Sequence, residues 1–138
     1  MYDFTFLVNP TPHQIQQITD LYRMAGWWAQ EADDPDHVAG IIAGSHCFLI
    51  ATKEEEIVGM GRAMSDSTSD AYLQDITVKK DYRGQQIGFR IVENLISRLN
   101  QDGLRWIGLI AERGSHKFYQ RLGFKNIPDA LPMLKITP

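Results

Sequence analysis

The sequence of 138 residues has the length of one domain, and we expect residues 1–138 to fold as a single unit. Its net charge of -3 argues against a nucleic-acid-binding protein that depends on a basic surface. No apolar stretch is long enough to cross a membrane and no signal peptide follows Met1, so we expect no membrane partner and a cytoplasmic location. The lone cysteine, Cys47, lies in an apolar run that predicts a buried side chain.

Strand and helix patterns alternate along the chain. Helix starts are indicated by Thr11-Pro12, with Gln14 completing a capping box, and by Asp34-Pro35. In chain order we predict a strand at 3–8, helices at 11–26 and 34–44, strands at 46–52, 57–64 and 72–78, a helix at 86–99, a strand at 106–111, a helix at 115–122, and closing strands at 124–127 and 133–136.

This order predicts an α/β (α+β) domain, in which a mixed sheet carries helices on its faces. Residues 86–99 form the clearest helix, because their apolar residues make one stripe and their polar residues the opposite face. Residues 106–111 are almost continuously apolar, which is typical of a central strand covered on both faces.

The stretch 72–90 carries the most chemical information. A strand is followed by a turn and then by the long helix, with Gly84 and Gly88 near the helix start. Free backbone N–H groups and the helix dipole make such a turn suitable for a phosphate, and Lys79, Lys80 and Arg83 add positive charge. The alternative is a turn glycine at 84 and a packing glycine at 88, with no ligand. Neither the Walker pattern nor the G-x-G-x-x-G pattern is present.

Two segments resemble the GNAT superfamily of N-acetyltransferases. Residues 78–88, VKKDYRGQQIG, are similar to its acetyl-CoA motif, with Arg83 at the first position, Gly88 at the last, and Gln86 where a glycine is usual. Residues 118–124, FYQRLGF, are similar to its F-Y-x-x-L-G-F segment. The resemblance implies the GNAT acyl-CoA N-acyltransferase fold, with six or seven strands and about four helices.

The resemblance also implies how acetyl-CoA binds as cosubstrate. The molecule would lie between the strands at 72–78 and 106–111, with its pantetheine arm on backbone groups of one strand and its pyrophosphate on loop amides. The residues implied in binding it are Ile76, Thr77, Val78, Arg83, Gly84, Gln85, Gln86, Ile87, Gly88, Phe89 and Phe118.

Tyr119 and Asp75 are the predicted catalytic residues. The resemblance gives Tyr119 the role of protonating the leaving thiolate, and the alternative is an aromatic that anchors its helix. A carboxylate in mid-strand, such as Asp75, is costly unless it is paired or solvated, so it is a candidate for general base or ammonium ligand. The equally weighted alternative is a structural hydrogen bond, for example to Arg62. Glu112 is a weaker candidate for the same role.

Trp27, Trp28 and Glu31 are the predicted acceptor-binding residues. They lie between the first two helices, a region that commonly covers the acceptor in GNAT folds, and two aromatics with an acid suit a cationic amine. The alternative places at least one tryptophan in the core. Together with residues 62–66, RAMSD, the tryptophans also resemble arylalkylamine (serotonin-type) acetyltransferases.

We therefore predict an acetyl-CoA-dependent N-acetyltransferase in which a small primary amine attacks the thioester directly. The alternatives are a peptide or protein N-terminal acetyltransferase, and a non-catalytic acyl-CoA-binding sensor, which the glutamine at 86 favours. We predict no metal, and Cys47 has no evident activating base that would make it a nucleophile. Since GNAT proteins are often dimers, a homodimer is a further expectation.

Overall fold

A computed structural model describes residues 1–29 and 33–138. A short 3-10 turn, Lys80–Tyr82, links the fourth strand to the third helix. The elements are β1 (Asp3–Phe6), α1 (Pro12–Met24), α2 (Pro35–Gly44), β2 (Cys47–Lys53), β3 (Glu56–Ser65), β4 (Asp70–Val78), α3 (Ile87–Gln101), β5 (Trp106–Gly108) and α4 (His116–Gln120).

The first two helices begin where the sequence predicts. The Thr11 hydroxyl accepts a hydrogen bond from the Gln14 amide (3.1 Å), and the Gln14 side chain accepts one from the Thr11 amide (2.9 Å). The capping box is therefore confirmed. At the second helix, a carboxylate oxygen of Asp34 accepts a hydrogen bond from the His37 amide (3.2 Å).

The strands form one mixed sheet in the order β1-β2-β3-β4-β5. Neighbours are antiparallel from β1 to β4, and β5 alone runs parallel to its neighbour β4. A parallel pair needs a crossover connection, and α3 provides it between β4 and β5.

Two apolar cores cover the two faces of the sheet. In β2, Phe48 and Ile50 pack with α1 and α2, whereas Leu49 and Ala51 pack with α3 on the opposite face. This alternation follows from the two-residue period of a strand. The α3 stripe is buried as predicted, and its fully or almost fully buried members are Ile87, Ile91, Val92, Leu95 and Leu99. The result is a three-layer domain.

The sheet is smaller than the sequence predicts. Five strands are present in the described residues, not six or seven, because residues 124–127 and 133–136 form no strand there. The strand predicted at 106–111 is also shorter and lies at the edge of the sheet rather than at its centre. Trp106 and Ile110 are 47% and 64% exposed, since no further strand covers them. No helix in the part of the chain that is described is long and apolar enough to cross a membrane.

Candidate active site

The loop that leads into α3 presents a row of backbone N–H groups. The amides of residues 84–89 donate to no acceptor within the described part of the chain, and the first amide that does is that of Arg90, bonded to the Gln86 carbonyl (3.0 Å). These amides lie at the positive end of a helix of 15 residues. Their arrangement suits a phosphate or pyrophosphate group, as the sequence predicts.

Gln86 adopts a left-handed backbone conformation, which glycine accommodates most easily. Its φ of 66° lies in the left-handed region, and it occupies the N-cap position of α3 without a side-chain capping bond. A non-glycine residue in this region is strained by about 1–2 kcal/mol. Gly84, with φ of 81°, takes the other left-handed position of the loop at less steric cost. The turn into α3 therefore forms with a glutamine at its left-handed N-cap.

Side-chain contacts hold this loop against the sheet. Nε of Arg83 donates to the carbonyl of Val78 (3.0 Å), so this side chain ties the loop to the end of β4. Tyr2 directly precedes β1, and its hydroxyl donates a hydrogen bond to Oε1 of Gln85 in the loop.

Glu56 anchors the 3-10 turn before the loop. Its two carboxylate oxygens accept hydrogen bonds from Nζ of Lys79 and from the hydroxyl of Tyr82, each at 2.9 Å. These bonds, that from Lys79 above all, hold the pKa of Glu56 below its usual value. The charge of Lys79, which the sequence analysis counted toward the phosphate site, is therefore paired with Glu56.

The sheet opens into a wedge beside this loop. Only three residues of β5 pair with β4, and the last pair is Tyr72 with Gly108. β4 continues to Val78, so its half from residue 73 onward has no strand on that side in the described chain. Ile76, Thr77 and Val78 lie in this half, where backbone groups are available to a ligand that enters the wedge.

A β-bulge in β4 lies opposite Gly61. The register runs from Met60–Thr77 to Arg62–Gln74, so two residues of β4 face one of β3. Asp75 has φ of 59°, in the left-handed region. A Cβ on Gly61 would lie 2.5 Å from Cδ1 of Ile76, which is why only glycine fits beneath the bulge.

The bulge places Asp75 in a hydrogen-bonded group. Its Oδ2 accepts hydrogen bonds from the Tyr22 hydroxyl and from Nε of Arg62, both at 2.7 Å. Arg62 also donates to Oε1 of Gln74 (3.0 Å) and to Oγ of Ser45 (3.4 Å). The pairing with Arg62 that the sequence analysis named as the alternative thus exists. Oδ1 of Asp75 accepts no hydrogen bond from the residues described.

Tyr22 connects Asp75 to the aromatic residues at the end of α1. Trp28 stacks on the Tyr22 ring, with centroids 4.2 Å apart and planes 4° from parallel, and Trp27 is tilted at 6.0 Å. Burial, followed by the negative charge of Asp75, raises the pKa of Tyr22 far above its usual value, so its hydroxyl stays a donor. Trp28 is half-buried and packs against the core, while Trp27 is 36% exposed. Glu31 lies outside the described residues.

Tyr119 lies on α4 between two phenylalanines. Its ring is half-buried and meets Phe118 and Phe124 edge to face, with centroids at 5.0 and 5.7 Å. Burial, and then the charge of Glu112, raise its pKa to about 12, so the phenol is protonated at neutral pH. If Gly88 carried a Cβ, that atom would lie 3.6 Å from Cζ of Phe118. The ring of Phe118 on α4 therefore packs close to the start of α3.

A single hydrogen bond links the segment before α4 to the end of α1. Nη1 of Arg113 donates to the carbonyl of Ala25 (3.2 Å). Arg113 itself has φ of 53°, a left-handed conformation, within a turn in which the Ser115 amide donates to the Glu112 carbonyl (3.0 Å). The end of α1 is therefore joined to the loop that precedes Tyr119.

Cys47 and the acidic residues offer no second chemistry. Burial raises the pKa of the Cys47 thiol to about 11, so it is a poor nucleophile at neutral pH. Among the described residues, no three histidine, cysteine, aspartate or glutamate side chains come close enough to hold a metal ion.

Tyr22 and Glu56 shape the site, although the sequence pattern gives neither of them a functional role. Both act through partners more than 20 residues away, Asp75 and Tyr82, so local patterns give no signal for them. The glycine at 61 in the middle of a strand was an available signal, because such a glycine often marks a bulge.

Comparison with known proteins identifies relatives of the whole domain. Residues 11–124 match the model of the acetyltransferase (GNAT) family. GCN5-related N-acetyltransferase 2, chloroplastic, of Arabidopsis thaliana is 37% identical over 79 residues, which is 57% of this chain and 31% of that protein. A histone acetyltransferase of Glycine max is 34% identical over 57% of this chain and 34% of its own length. The matches cover about a third to a half of the length of such curated relatives.

Three further comparisons concern one curated relative and two solved structures. Serotonin N-acetyltransferase 2, chloroplastic, of Oryza sativa is 34% identical over 54% of this chain and 37% of its own length. A probable acetyltransferase from methicillin-resistant Staphylococcus aureus superposes with a TM-score of 0.81 at 22% identity, covering 99% of this chain and all of that one. An aminoglycoside 6'-N-acetyltransferase in complex with coenzyme A superposes with a TM-score of 0.77 at 20% identity, covering 91% and 86%.

Proposed function

Since this chain belongs to the GNAT acetyltransferase family, we propose that it transfers the acetyl group of acetyl-CoA to a small primary amine. The observation that carries the proposal is the combination of free amides at residues 84–89 with the wedge between β4 and β5. The first suits the pyrophosphate and the second is open where an extended arm could pair with backbone groups. The coenzyme A in the aminoglycoside acetyltransferase structure supports the same ligand class.

The residues proposed to bind acetyl-CoA follow from this arrangement. Backbone groups of Ile76, Thr77 and Val78 would hold the pantetheine arm on the open edge of β4. Amides from 84 to 89 would hold the pyrophosphate, with Phe118 packed against the start of α3. Since Lys79 is paired with Glu56, we assign the electrostatic contribution to the helix dipole and to the exposed Lys80 and Arg83.

In the proposed reaction, the amine nitrogen attacks the thioester carbon directly and the carbon–sulfur bond breaks. Tyr119 would give its phenolic proton to the departing sulfur and regain a proton from solvent. A pKa of about 12 keeps this phenol protonated at neutral pH, so a proton is available where negative charge develops on the sulfur as the carbon–sulfur bond breaks. Asp75 would receive the amine proton, directly or through water, on Oδ1, since its Oδ2 is held by Tyr22 and Arg62.

The aromatic side chains of Tyr22, Trp27 and Trp28 favour a small amine as the acceptor. Trp28 stacks on Tyr22, and the Tyr22 hydroxyl donates a hydrogen bond to the Asp75 carboxylate. A cation bound beside the carboxylate would therefore also lie near an aromatic surface. Trp27 is the more exposed of the two tryptophans and would meet the incoming amine. Glu31 remains a proposed contributor.

Release of free thiol in the presence of acetyl-CoA and a panel of acceptors tests this function. The panel compares arylalkylamines such as serotonin, aliphatic amines and a histone-tail peptide at equal concentration. We expect turnover with a small amine, and a Trp27→Ala variant should raise KM for that amine while leaving the acetyl-CoA dependence unchanged. Turnover with the peptide alone would instead support a peptide or protein acetyltransferase, for which the soybean histone acetyltransferase is the precedent.

An acyl-CoA sensor is separated from an enzyme by the same assay. A sensor would bind acetyl-CoA but release no thiol with any acceptor above the rate without protein.

The cytoplasmic location stays a prediction. Several relatives are chloroplastic, so the plastid is the alternative location, and localisation of the tagged protein in cells tests it.

A further inference from the structure

Three large apolar side chains form a row across one end of the sheet. Met64 on β3, Tyr72 on β4 and Trp106 on β5 are 39%, 48% and 47% exposed. Met64 and Tyr72 are partners in the strand register, and the rings of Tyr72 and Trp106 meet edge to face with centroids 5.3 Å apart. An exposed apolar patch of this kind often marks a site of ligand or partner binding. We call these three residues the apolar row.

The apolar row lies on the same face of the sheet as the group around Asp75. Residues two apart on a strand share a face, so Arg62 faces the same side as Met64, and Gln74 the same side as Tyr72. The register pairs Arg62 with Gln74, and the two side chains are hydrogen-bonded. Arg62 also donates a hydrogen bond to Asp75. The apolar row and the Asp75 carboxylate therefore belong to one surface.

The helices leave this surface open. α1 and α2 cover the same face over β2, where Phe48 and Ile50 are buried against them, but the apolar row and Gln74 are exposed. An exposed path therefore leads along β4 from Tyr72 over Gln74 to Asp75. Three residues of a strand span about 10 Å, and this is the length of the path.

The two ends of the path differ in chemistry. At Asp75, Tyr22 and Arg62 occupy Oδ2, while Oδ1 accepts no hydrogen bond from the residues described, so this end suits an ammonium group. At the other end, the apolar row presents two rings that suit a flat apolar group.

A ligand that matches both ends is a primary amine with an aromatic group carried about 10 Å from its nitrogen. An arylethylamine is too short for both ends, because the three bonds between its nitrogen and its ring span at most about 4.5 Å. A spacer of four to six carbons brings the ring toward the row.

We propose that the apolar row is a second subsite of the acceptor site and binds the aromatic end of such an elongated amine. The inference rests on the proposed function, because it takes Asp75 as the group that meets the reacting amine. It adds selection by length, since only a ring on a longer spacer reaches Tyr72 and Trp106. Burial of that ring supplies affinity without changing the chemistry at the thioester, so the row should act on KM rather than on kcat.

Calorimetric titration with phenylethylamine, phenylbutylamine and phenylhexylamine tests the subsite. The titrations use the full chain, with and without free CoA, and need no turnover. We expect the Kd of phenylhexylamine to be at least tenfold below that of phenylethylamine, a difference of about 1.4 kcal/mol. Phenylhexanol has the same length but no ammonium group for Asp75, so it should bind at least tenfold more weakly than phenylhexylamine.

A double substitution removes the two rings of the row. In Tyr72→Ala/Trp106→Ala, the tenfold difference between the short and the long amine should disappear. Both side chains are half-exposed, so this variant should fold, which far-UV circular dichroism checks. Tyr72→Phe/Trp106→Phe keeps two rings and should retain the difference. Val8→Ala is a further control, because Val8 is an exposed apolar residue between β1 and α1, and it should also retain the difference.

Steady-state kinetics give a second readout. The alanine double variant should raise KM for phenylhexylamine at least tenfold and leave kcat and the KM of phenylethylamine unchanged, whereas Trp27→Ala should raise KM for both amines. The proposal is overturned by equal Kd values for the three amines in the unmodified protein, or by an alanine double variant that keeps the tenfold difference. Absence of thiol release with every amine would contradict the proposed function, while the titrations would still decide the subsite.

Discussion

The two sides of the candidate site are built differently. The side that suits acetyl-CoA comes from one contiguous stretch, residues 76–89, in which strand, turn and helix start follow each other. The side that suits the acceptor is assembled from residues far apart in the chain, because Tyr22, Arg62 and Asp75 meet only after folding. A change on the first side should therefore act through the geometry of one loop and alter stability little, whereas a change on the second should disturb contacts between distant elements and cost more stability.

Substitution of Tyr119 by Phe should have the largest effect. Removal of the phenol would lower kcat by about 10²-fold to 10⁴-fold, the range for a lost general acid, while leaving the affinity for acetyl-CoA nearly unchanged. Steady-state kinetics and titration calorimetry measure the two quantities. Equal kcat for Tyr119→Phe and the unmodified protein would remove Tyr119 from the mechanism and leave it as a packing residue.

The pH dependence of kcat sharpens this prediction. Burial raises the pKa of Tyr119 to about 12, so the folded phenol keeps its proton up to that pH, and the stability linked to it is complete below about pH 10 and is lost as the pH rises from there through about 12. A tyrosine in water loses its proton near pH 10, by contrast. We therefore expect kcat of the unmodified protein to show no decline near pH 10 that can be assigned to Tyr119. A decline near pH 10 that is absent in Tyr119→Phe would contradict this, because it would show that the phenol titrates as it does in water.

Arg62→Leu should show the coupling of the acceptor side to stability. The substitution leaves the Asp75 carboxylate, 22% exposed, with Tyr22 as its remaining partner. We expect the free energy of unfolding to fall by about 3 kcal/mol, the lower end of the range for breaking a buried ion pair. Urea denaturation measures it.

Two comparisons make the Arg62 result specific. Arg98→Leu removes an exposed pair with Asp102 and should cost less than about 1 kcal/mol. Adding Asp75→Asn to Arg62→Leu removes the unpaired charge and should restore part of the stability. If Arg62→Leu and Arg98→Leu cost the same, the group around Asp75 is not a structural element of the acceptor side.

Gly61→Ala tests the bulge that presents Asp75. The new methyl group would lie 2.5 Å from Cδ1 of Ile76 and 2.9 Å from Cγ2 of Ile91, so these side chains must move. We expect a loss of about 1–3 kcal/mol, as for other overpacked cores, and a lower kcat. Gly40→Ala in α2 is the control of opposite sign, because nothing lies within 4 Å of its added Cβ and alanine favours a helix by about 0.5–1 kcal/mol.

Gln86→Gly should have the smallest effect and the reverse sign. Glycine relieves left-handed strain of about 1–2 kcal/mol at this position, and its greater freedom in the unfolded chain offsets about 0.5–1 kcal/mol of that gain. The free energy of unfolding should therefore rise by about 1 kcal/mol or less, with acetyl-CoA affinity within a factor of a few. Gly84→Ala, which places a side chain at φ of 81°, should lower stability instead. Destabilisation by Gln86→Gly would mean that the glutamine side chain has a role that the structure does not show.

Features built from residues that are close in the sequence could be predicted, whereas features built from distant residues could not. The capping box at Thr11, the α3 stripe and the glycine-bearing turn before α3 all depend on residues within a few positions of one another, and the structure has each of them. Tyr22 and Glu56 give no such local signal, because their partners are distant in sequence. The strand pattern at 133–136 is present in the sequence, but no strand forms there in the structure, because a local pattern does not supply a pairing partner.

The apolar run at 106–111 shows a related limit. A continuous apolar run is typical of a covered strand, yet β5 ends at Gly108 and lies at the sheet edge. Its apolar side chains flank an opening and an edge that no further strand covers in the described residues. Composition alone does not distinguish burial within one chain from burial by a ligand or a partner.

Titration calorimetry of the purified protein with acetyl-CoA, and with free CoA for comparison, tests the central claim most directly. The open amides at 84–89 and the wedge between β4 and β5 predict binding of both ligands in the micromolar range or tighter. Absence of heat and of competition with either ligand would contradict the account, and would leave a GNAT fold whose helix terminus and wedge serve another purpose.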